Sequence, residues 1–248
     1  MSVYDTIELN KQLGSGAYQD WLIRTQFDDL EKHSDKWQNY LGVYSHYYNQ
    51  LKHYQRCDIK SNQVLVEVGI QKGGSLELWT KLWPGKVIGI DIDPECAKLD
   101  YDGRAKVVIG NQGDPSFWDK FLAEHPKIDF FIDDGGHFMD QQILTFEKVF
   151  PILSVGGIYI CEDVHTSYIP YNGGGYRNRK SFLEYAKDYV DVIHSKWIMD
   201  VDPELERKKT IAKDLTSVHF FDSIVVFEKF GKMEMKRIFP KKFEYSGV

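Results

Sequence analysis

Two short runs carry the residue types that could do chemistry. The first is Ile132-Asp133-Asp134-Gly135-Gly136-His137, and the second, 25 residues beyond His137, is Glu162-Asp163-Val164-His165. Each directly follows an apolar run, Ile128-Asp129-Phe130-Phe131 and Gly157-Ile158-Tyr159-Ile160-Cys161. If those runs are neighbouring parallel strands, Asp134, Glu162 and Asp163 meet at one sheet edge with His137 beside them. Three carboxylates suit a hard divalent cation, and an imidazole, which titrates near neutrality, suits a general base. Asp133 points away from Asp134 if both lie in extended backbone, so it reads as a structural or cofactor-side partner.

A second constellation suits a nucleoside. Glu67-Val68-Gly69-Ile70-Gln71-Lys72-Gly73-Gly74-Ser75 follows an apolar strand and opens a helix, where glycines permit a tight turn and free amides face a ligand. The loop spells E-x-G-x-x-x-G-G and lacks the G-x-G-x-x-G of dinucleotide-binding folds. Asp91 ends the next strand, where an acid can accept both hydroxyls of a ribose. Asp114, in Asn111-Gln112-Gly113-Asp114 after the third, can accept from an exocyclic amine of adenine.

The elements that must position these groups alternate. Apolar strands are expected over Val64–Val68, Lys86–Asp91, Ala105–Ile109, Ile128–Asp133 and Gly157–Glu162. Helices are expected over Ser75–Leu82, Pro115–Ala123 and Asp140–Leu153. Asn178 is the expected N-cap of another helix running toward Ile193. Ser217–Phe221 and Ile224–Phe227 flank Asp222-Ser223 as an antiparallel hairpin. Repeated βα units with buried strands predict an α/β fold with a doubly wound, mostly parallel sheet of seven strands. Three parts are expected: a helical segment over 1–60, a main domain over 61–230 and a basic tail over 231–248, which receives no function. Trp37, Tyr40 and Tyr44 read as core packing in the first part, and Lys36 reaches toward the substrate side.

At 248 residues the chain can bury one substantial core. Its 42% apolar, 15% aromatic and 27% charged composition is that of an ordinary globular protein. A net charge of -6 argues against non-specific nucleic-acid binding. No segment approaches the roughly 20 apolar residues of a membrane span, and Met1 to Asn10 has no apolar signal core. Cys57, Cys96 and Cys161 are scattered and odd in number, which suits reduced thiols in a cytoplasmic protein. A homo-oligomer is left open.

The glycine loop, Ile90-Asp91-Ile92-Asp93 and the Asp133-Asp134-Gly135-Gly136-His137 and Glu162-Asp163 pair together resemble class I S-adenosylmethionine-dependent methyltransferases. More narrowly, they resemble the metal-dependent sugar O-methyltransferases of the mycinamicin and tylosin type. Some relatives of that type carry a cephalosporin-hydroxylase label. The resemblance runs over residues 33 to 229. It implies that Glu67, Gly69, Gly73 and Ser75 surround the methionine part of the cofactor. It also implies that Asp91 binds the ribose, and that Gln112 and Asp114 flank the adenine, with Asp133 on the cofactor side. Asp134, Glu162 and Asp163 would hold magnesium or a similar ion, with His137 as the base. Asn111 departs from the pattern, since relatives often have an acid there.

The acceptor implied is a small carbohydrate or sugar nucleotide. The loop from Thr166 to Tyr176 reads as its lid, with three consecutive glycines for mobility and Tyr168, Tyr171 and Tyr176 as flat sugar-binding faces. Arg177, Arg179 and Lys180 are candidates for a local basic pocket. Two other classes compete: an NAD-dependent oxidoreductase on a similar fold, and a non-catalytic cofactor-binding module.

Overall fold

The structure is a computed structural model that describes residues 21–54, 59–231 and 237. The first third of the expected N-terminal segment, Cys57 and nearly all of the tail lie outside the described residues. Two helices precede the sheet, α1 (Trp21–Asp28) and α2 (Gln38–Tyr54). The alternating part then runs β1 (Val64–Val68), α3 (Gly74–Leu82), β2 (Lys86–Asp91), β3 (Ala105–Ile109), α4 (Pro115–Glu124), β4 (Ile128–Asp133), α5 (Met139–Val149) and β5 (Leu153–Cys161). Three helices, α6 (Phe182–Lys187), α7 (Tyr189–His194) and α8 (Pro203–Ile211), lead to the hairpin β6 (Ser217–Phe221) and β7 (Ile224–Lys229).

The strands form one seven-stranded sheet in the order β3-β2-β1-β4-β5-β7-β6. The first five are parallel, and β7 runs antiparallel to both β5 and β6. Successive side chains of a strand face opposite sides, so each central strand feeds two cores. Phe131, Tyr159, Val225 and Phe227 pack with Trp118 of α4, Phe146 of α5 and Tyr185 and Tyr189 beyond β5. Phe130, Ile132, Ile158 and Ile160 pack on the other face with Tyr40, Tyr44 and Tyr47 of α2 and Leu76 and Trp79 of α3. All six positions of β4 are buried. That explains why β4 reads as a nearly unbroken apolar run.

Three expectations need correction. The helix before residue 193 is capped by Ser181, whose hydroxyl accepts from the Glu184 amide, and not by Asn178. The Ser-x-x-Glu spacing is the stronger N-terminal signal. That helix also divides into α6 and α7. The fifth strand starts at Leu153 rather than Gly157, because α5 gives way to a 3-10 turn at Phe150–Ile152. Among the described residues no helix is long and apolar enough to cross a membrane.

Candidate active site

Strand register builds the site. Val68 lies opposite Asp133, and Asp133 opposite Cys161. The next residue of each strand, Gly69, Asp134 and Glu162, therefore falls in one row along the carboxyl edge of the sheet. Ladder hydrogen bonds extend into that row: Asp134 N–H donates to the Val68 carbonyl at 3.0 Å, and Glu162 N–H to the Asp133 carbonyl at 2.8 Å. Gly69 has φ of +90°, and a Cβ there would lie 1.8 Å from the Asp134 carbonyl oxygen. Only glycine lets the glycine-loop turn and the acidic turn approach so closely.

The row opens into a cavity of about 270 Å³ lined by the glycine loop (Gly69, Ile70, Gln71, Ser75), by Asp134, His137, Glu162 and Asp163, and by residues 33–37 and Tyr40. His137 Nε2 lies 3.4 Å from Asp163 Oδ2 and 3.9 Å from Asp134 Oδ1. One donor atom from each of Asp134, His137 and Asp163 falls within 4.8 Å of the others. His137 and Asp163 both adopt left-handed backbone, at φ of +57° and +52°. For non-glycine residues this costs free energy and is held by the surroundings, a pattern that gathers at functional sites.

The expected carboxylates do converge, but they divide their work. Glu162 is fully buried and turned inward, accepting from the Tyr44 hydroxyl and, at 2.9 Å, from the Lys36 ammonium. Lys36 also donates to Asp134 and stands 3.7 Å from Glu67, with its side chain only 3% exposed. Burial alone lowers the pKa of such an amine. The carboxylates of Asp134 and Glu162 overcome this and hold it well above the ordinary value. Burial pushes Glu67 up to about 7, with Lys36 pulling the other way, and raises both Asp134 and Glu162. Asp163 accepts from the Tyr40 hydroxyl at 2.5 Å, and the Ser223 hydroxyl lies 2.8 Å from the same Tyr40 oxygen. The position of α2 is thereby written into the site. Tyr40 and Tyr44 stand four residues apart on α2 and so share a face, while Lys36 lies in the segment just before that helix.

Residues 29–37 form a strap over the glycine loop. The amides of Glu31 and Lys32 donate to the Glu77 carboxylate at 3.1 and 2.8 Å, and the Gly74 amide donates to the His33 carbonyl at 3.1 Å. Lys81 Nζ reaches the Asp29 carbonyl at 2.8 Å.

Other expected residues take different places. Asp91 accepts the amides of Gln71 and Asp93, each at 2.9 Å, which fixes its carboxylate at the end of β2. Asp114 caps α4, accepting from the amide and hydroxyl of Ser116, so its carboxylate is engaged locally. Asp133 is fully buried, held by Gln112 Nε2 at 2.5 Å and the Tyr159 hydroxyl at 3.1 Å, and it does not line the cavity. Burial pushes its pKa up to about 7 against those hydrogen bonds. Gln112 in turn accepts from the Gly136 amide at 2.9 Å, so this pair braces the turn that carries His137.

The loop after β5 is more ordered than its glycines suggest. Two 3-10 turns, Val164–Tyr168 and Pro170–Asn172, are followed by Gly174 and Gly175, whose amides donate to the carbonyls of Ile169 and Ser167. A Cβ on Gly174 would sit 2.5 Å from the carbonyl oxygens of Thr166 and Ser167. Close backbone packing, not mobility, is what this glycine provides. Asn172 Nδ2 donates to the His137 carbonyl at 3.2 Å, tying the loop to the turn that carries His137. Tyr168, Tyr171 and Tyr176 are exposed, and the Tyr171 ring lies 5.7 Å from Phe138. Of the basic candidates, Arg179 pairs with Asp188 at 3.2 Å and Arg177 lies over Tyr176.

No family model matches the chain. It is 31% identical over 229 residues to the 8-demethyl-8-(2-methoxy-alpha-L-rhamnosyl)-tetracenomycin-C 3'-O-methyltransferase of Streptomyces olivaceus, covering 86% of this chain and 56% of that protein. It is 32% identical over 178 residues to the L-olivosyl-oleandolide 3-O-methyltransferase of Streptomyces antibioticus, covering 66% of this chain and 44% of that protein. The chain thus spans about half the length of the curated relatives it matches. Among solved structures, the MycE methyltransferase of the mycinamycin pathway, in complex with Mg and SAH, superposes with a TM-score of 0.66 at 25% identity. That match covers 80% of this chain and 52% of MycE. A complex of MycE with Mg, SAH and mycinamycin VI gives 0.69 at 20% identity, over 93% of this chain and 62% of MycE. The chain belongs to the class I S-adenosylmethionine-dependent methyltransferases, and within them it is similar to the metal-dependent sugar O-methyltransferases of the mycinamicin type.

Proposed function

We propose that this protein is an O-methyltransferase that moves a methyl group from S-adenosylmethionine to a hydroxyl of a sugar or sugar nucleotide, with a divalent ion, magnesium by donor type, and His137 as base. The observation that carries this reading is the shared cavity: the turn at Gly69, Gln71 and Ser75 and the donor triangle of Asp134, His137 and Asp163 line the same space. The donors fit a hard cation, because two are carboxylates and the cluster around them holds more negative charge than its single buried ammonium offsets. When bound, the ion supplies charge stabilisation and orientation for a vicinal diol, and the sulfonium cofactor supplies the methyl group.

The chain's own residues do the rest. Asp134 and Asp163 hold the ion, with Glu162 behind them. His137, whose ring stands beside both carboxylates, takes the proton of the acceptor hydroxyl. Gln112, Asp133 and the Asn172 amide hold the backbone on which that ring sits. Glu67 and Ser75 face the methionine end of the cofactor, and Asp91, already oriented by two amides, faces the ribose. Tyr168, Tyr171 and Tyr176 offer ring faces to the acceptor beside His137. The relatives act, by their names, on sugars attached to natural products, which supports an acceptor of that kind.

The test is release of S-adenosylhomocysteine across a panel of sugar nucleotides and glycosylated small molecules, with magnesium and after chelation. Turnover that disappears with chelator and returns with magnesium is the expected result. Turnover indifferent to chelator overturns the metal role. Preferential binding of a nicotinamide nucleotide over the sulfonium cofactor overturns the reaction class.

A further inference from the structure

Lys36 belongs to no strand of the sheet and to no loop at its carboxyl edge, yet its ammonium sits at the centre of the acidic row. It donates to Asp134 and to Glu162 at 2.9 Å, and it lies 3.7 Å from Glu67 on the cofactor side. Its side chain is 3% exposed, and its stem runs past the Tyr44 ring, 5.8 Å from the ring centre to the ammonium. The strap that delivers it is fastened by backbone hydrogen bonds to Glu77 and Gly74, so the ammonium is held in place rather than sampled.

The groups facing Lys36 come from four elements: Glu67 on β1, Asp134 after β4, Glu162 after β5, and Tyr44 on α2. One of the two Asp134 oxygens, Oδ2, is taken by Lys36, while Oδ1 faces His137. Lys36 therefore uses ligand capacity that a divalent ion at Asp134 needs, and it places a fixed positive charge beside that ion. A unit charge a few ångström from a dication in a partly buried site is a strong opposing interaction.

We propose that Lys36 is a built-in competitor for the divalent ion: a tethered cation that neutralises the acidic row when no metal is bound and weakens metal binding when one arrives. The inference rests on the metal reading above and adds a positioning residue to it. Lys36 also touches Glu67, at the cofactor end of the cavity.

The experiment measures magnesium affinity by calorimetry, with thermal shift in magnesium and in chelator, for the full chain and for Lys36→Met, Lys36→Gln and Lys36→Arg. The neutral variants are expected to bind magnesium tighter than the unaltered protein by about tenfold or more. They should also be less stable in chelator and gain more stability from magnesium, while Lys36→Arg stays close to the unaltered protein. A residue that merely supported the fold would give the opposite sign, weaker binding. Equal or weaker magnesium binding by a folded neutral variant overturns the proposal. If Lys36→Met does not fold without metal, its folding on addition of magnesium supports the proposal, and its failure to do so together with unchanged affinity of Lys36→Gln overturns it. Absence of magnesium binding in all four proteins overturns both this inference and the metal reading. Binding that is lost in Asp134→Asn but unchanged in Lys36→Gln leaves the metal reading standing and removes only the role of Lys36.

Discussion

Two ionic networks, one among the helices beyond β5 and one at the carboxyl edge of the sheet, differ in charge balance. Behind β5, Glu147, Asp188 and Glu204 meet Arg179, Arg207 and Lys208. Arg207 bridges Glu147 at 2.7 Å and Glu204 at 2.9 Å, and Lys208 reaches Asp188 at 2.6 Å while lying over the Tyr185 ring. Each acid there has a permanent cation. At the carboxyl edge, Glu67, Asp134, Glu162 and Asp163 share one permanent cation, Lys36, and the imidazole of His137. Burying charge without compensation is expensive, so a network meant only to hold helices together is expected to close its own account, as the first one does. A cavity with more acids than permanent cations is the pattern on which the proposed metal role rests.

The contrast can be broken at either end. Asp134→Asn should have the largest effect, a loss of turnover of about a thousandfold or more, since ion and orientation go together. Lys208→Met should leave the rate per folded molecule within about twofold, because its network touches nothing in the cavity. Initial rates with saturating magnesium decide both. His137→Ala should cost about 10²–10⁴ in rate as the loss of a general base. Its magnesium affinity separates two roles: an unchanged value makes the ring a base alone, and a clear loss makes it a ligand as well.

Lys208→Met should lower stability by about 2–3 kcal/mol, because Asp188 loses its buried partner although it remains partly solvated. Denaturant melts in chelator measure it, and the same melts should show no change in the magnesium response. The smallest effect concerns Asp133. Its folded-state pKa, raised to about 7 from the ordinary 3.8, means that stability present near pH 4 is lost as pH rises toward 7. Asp133→Asn should remove that loss, so its advantage over the unaltered protein should grow by about 1–2 kcal/mol between pH 5 and pH 8. A pH-independent difference in melting would show that Asp133 stays ionised throughout.

The sequence was legible where its signal was local. β4 and β5 each end in an apolar run that flips to acid in one residue, so the row of Asp134 and Glu162 follows once the strands are neighbours. Asp91 at the end of β2 follows in the same way. What was illegible came from long-range partners. Lys36 pairs with Asp134 and Glu162, 98 and 126 residues away, and nothing near Lys36 announces an acidic site. Tyr40 and Tyr44 look like core residues because their rings are core, and only the hydroxyls serve the carboxylates. Asp114 shows another limit: an acid in a suggestive position whose oxygens also start a helix, a local role that its position alone did not announce. In the glycine-rich loop after β5, composition suggested freedom while the backbone contacts of Gly174 impose order.

The contact between Tyr40 and Ser223 joins residues 183 positions apart. It has a consequence for how the molecule is made. Ser223 leaves the ribosome 183 residues after Tyr40, so this contact cannot form until the sheet between them has been synthesised. Contacts of such sequence separation are formed late and slowly. The β4 and β5 pairing sets Asp134 and Glu162 side by side first, and the contact of Tyr40 with Asp163 and Ser223 then joins α2 to the last hairpin across the finished cavity.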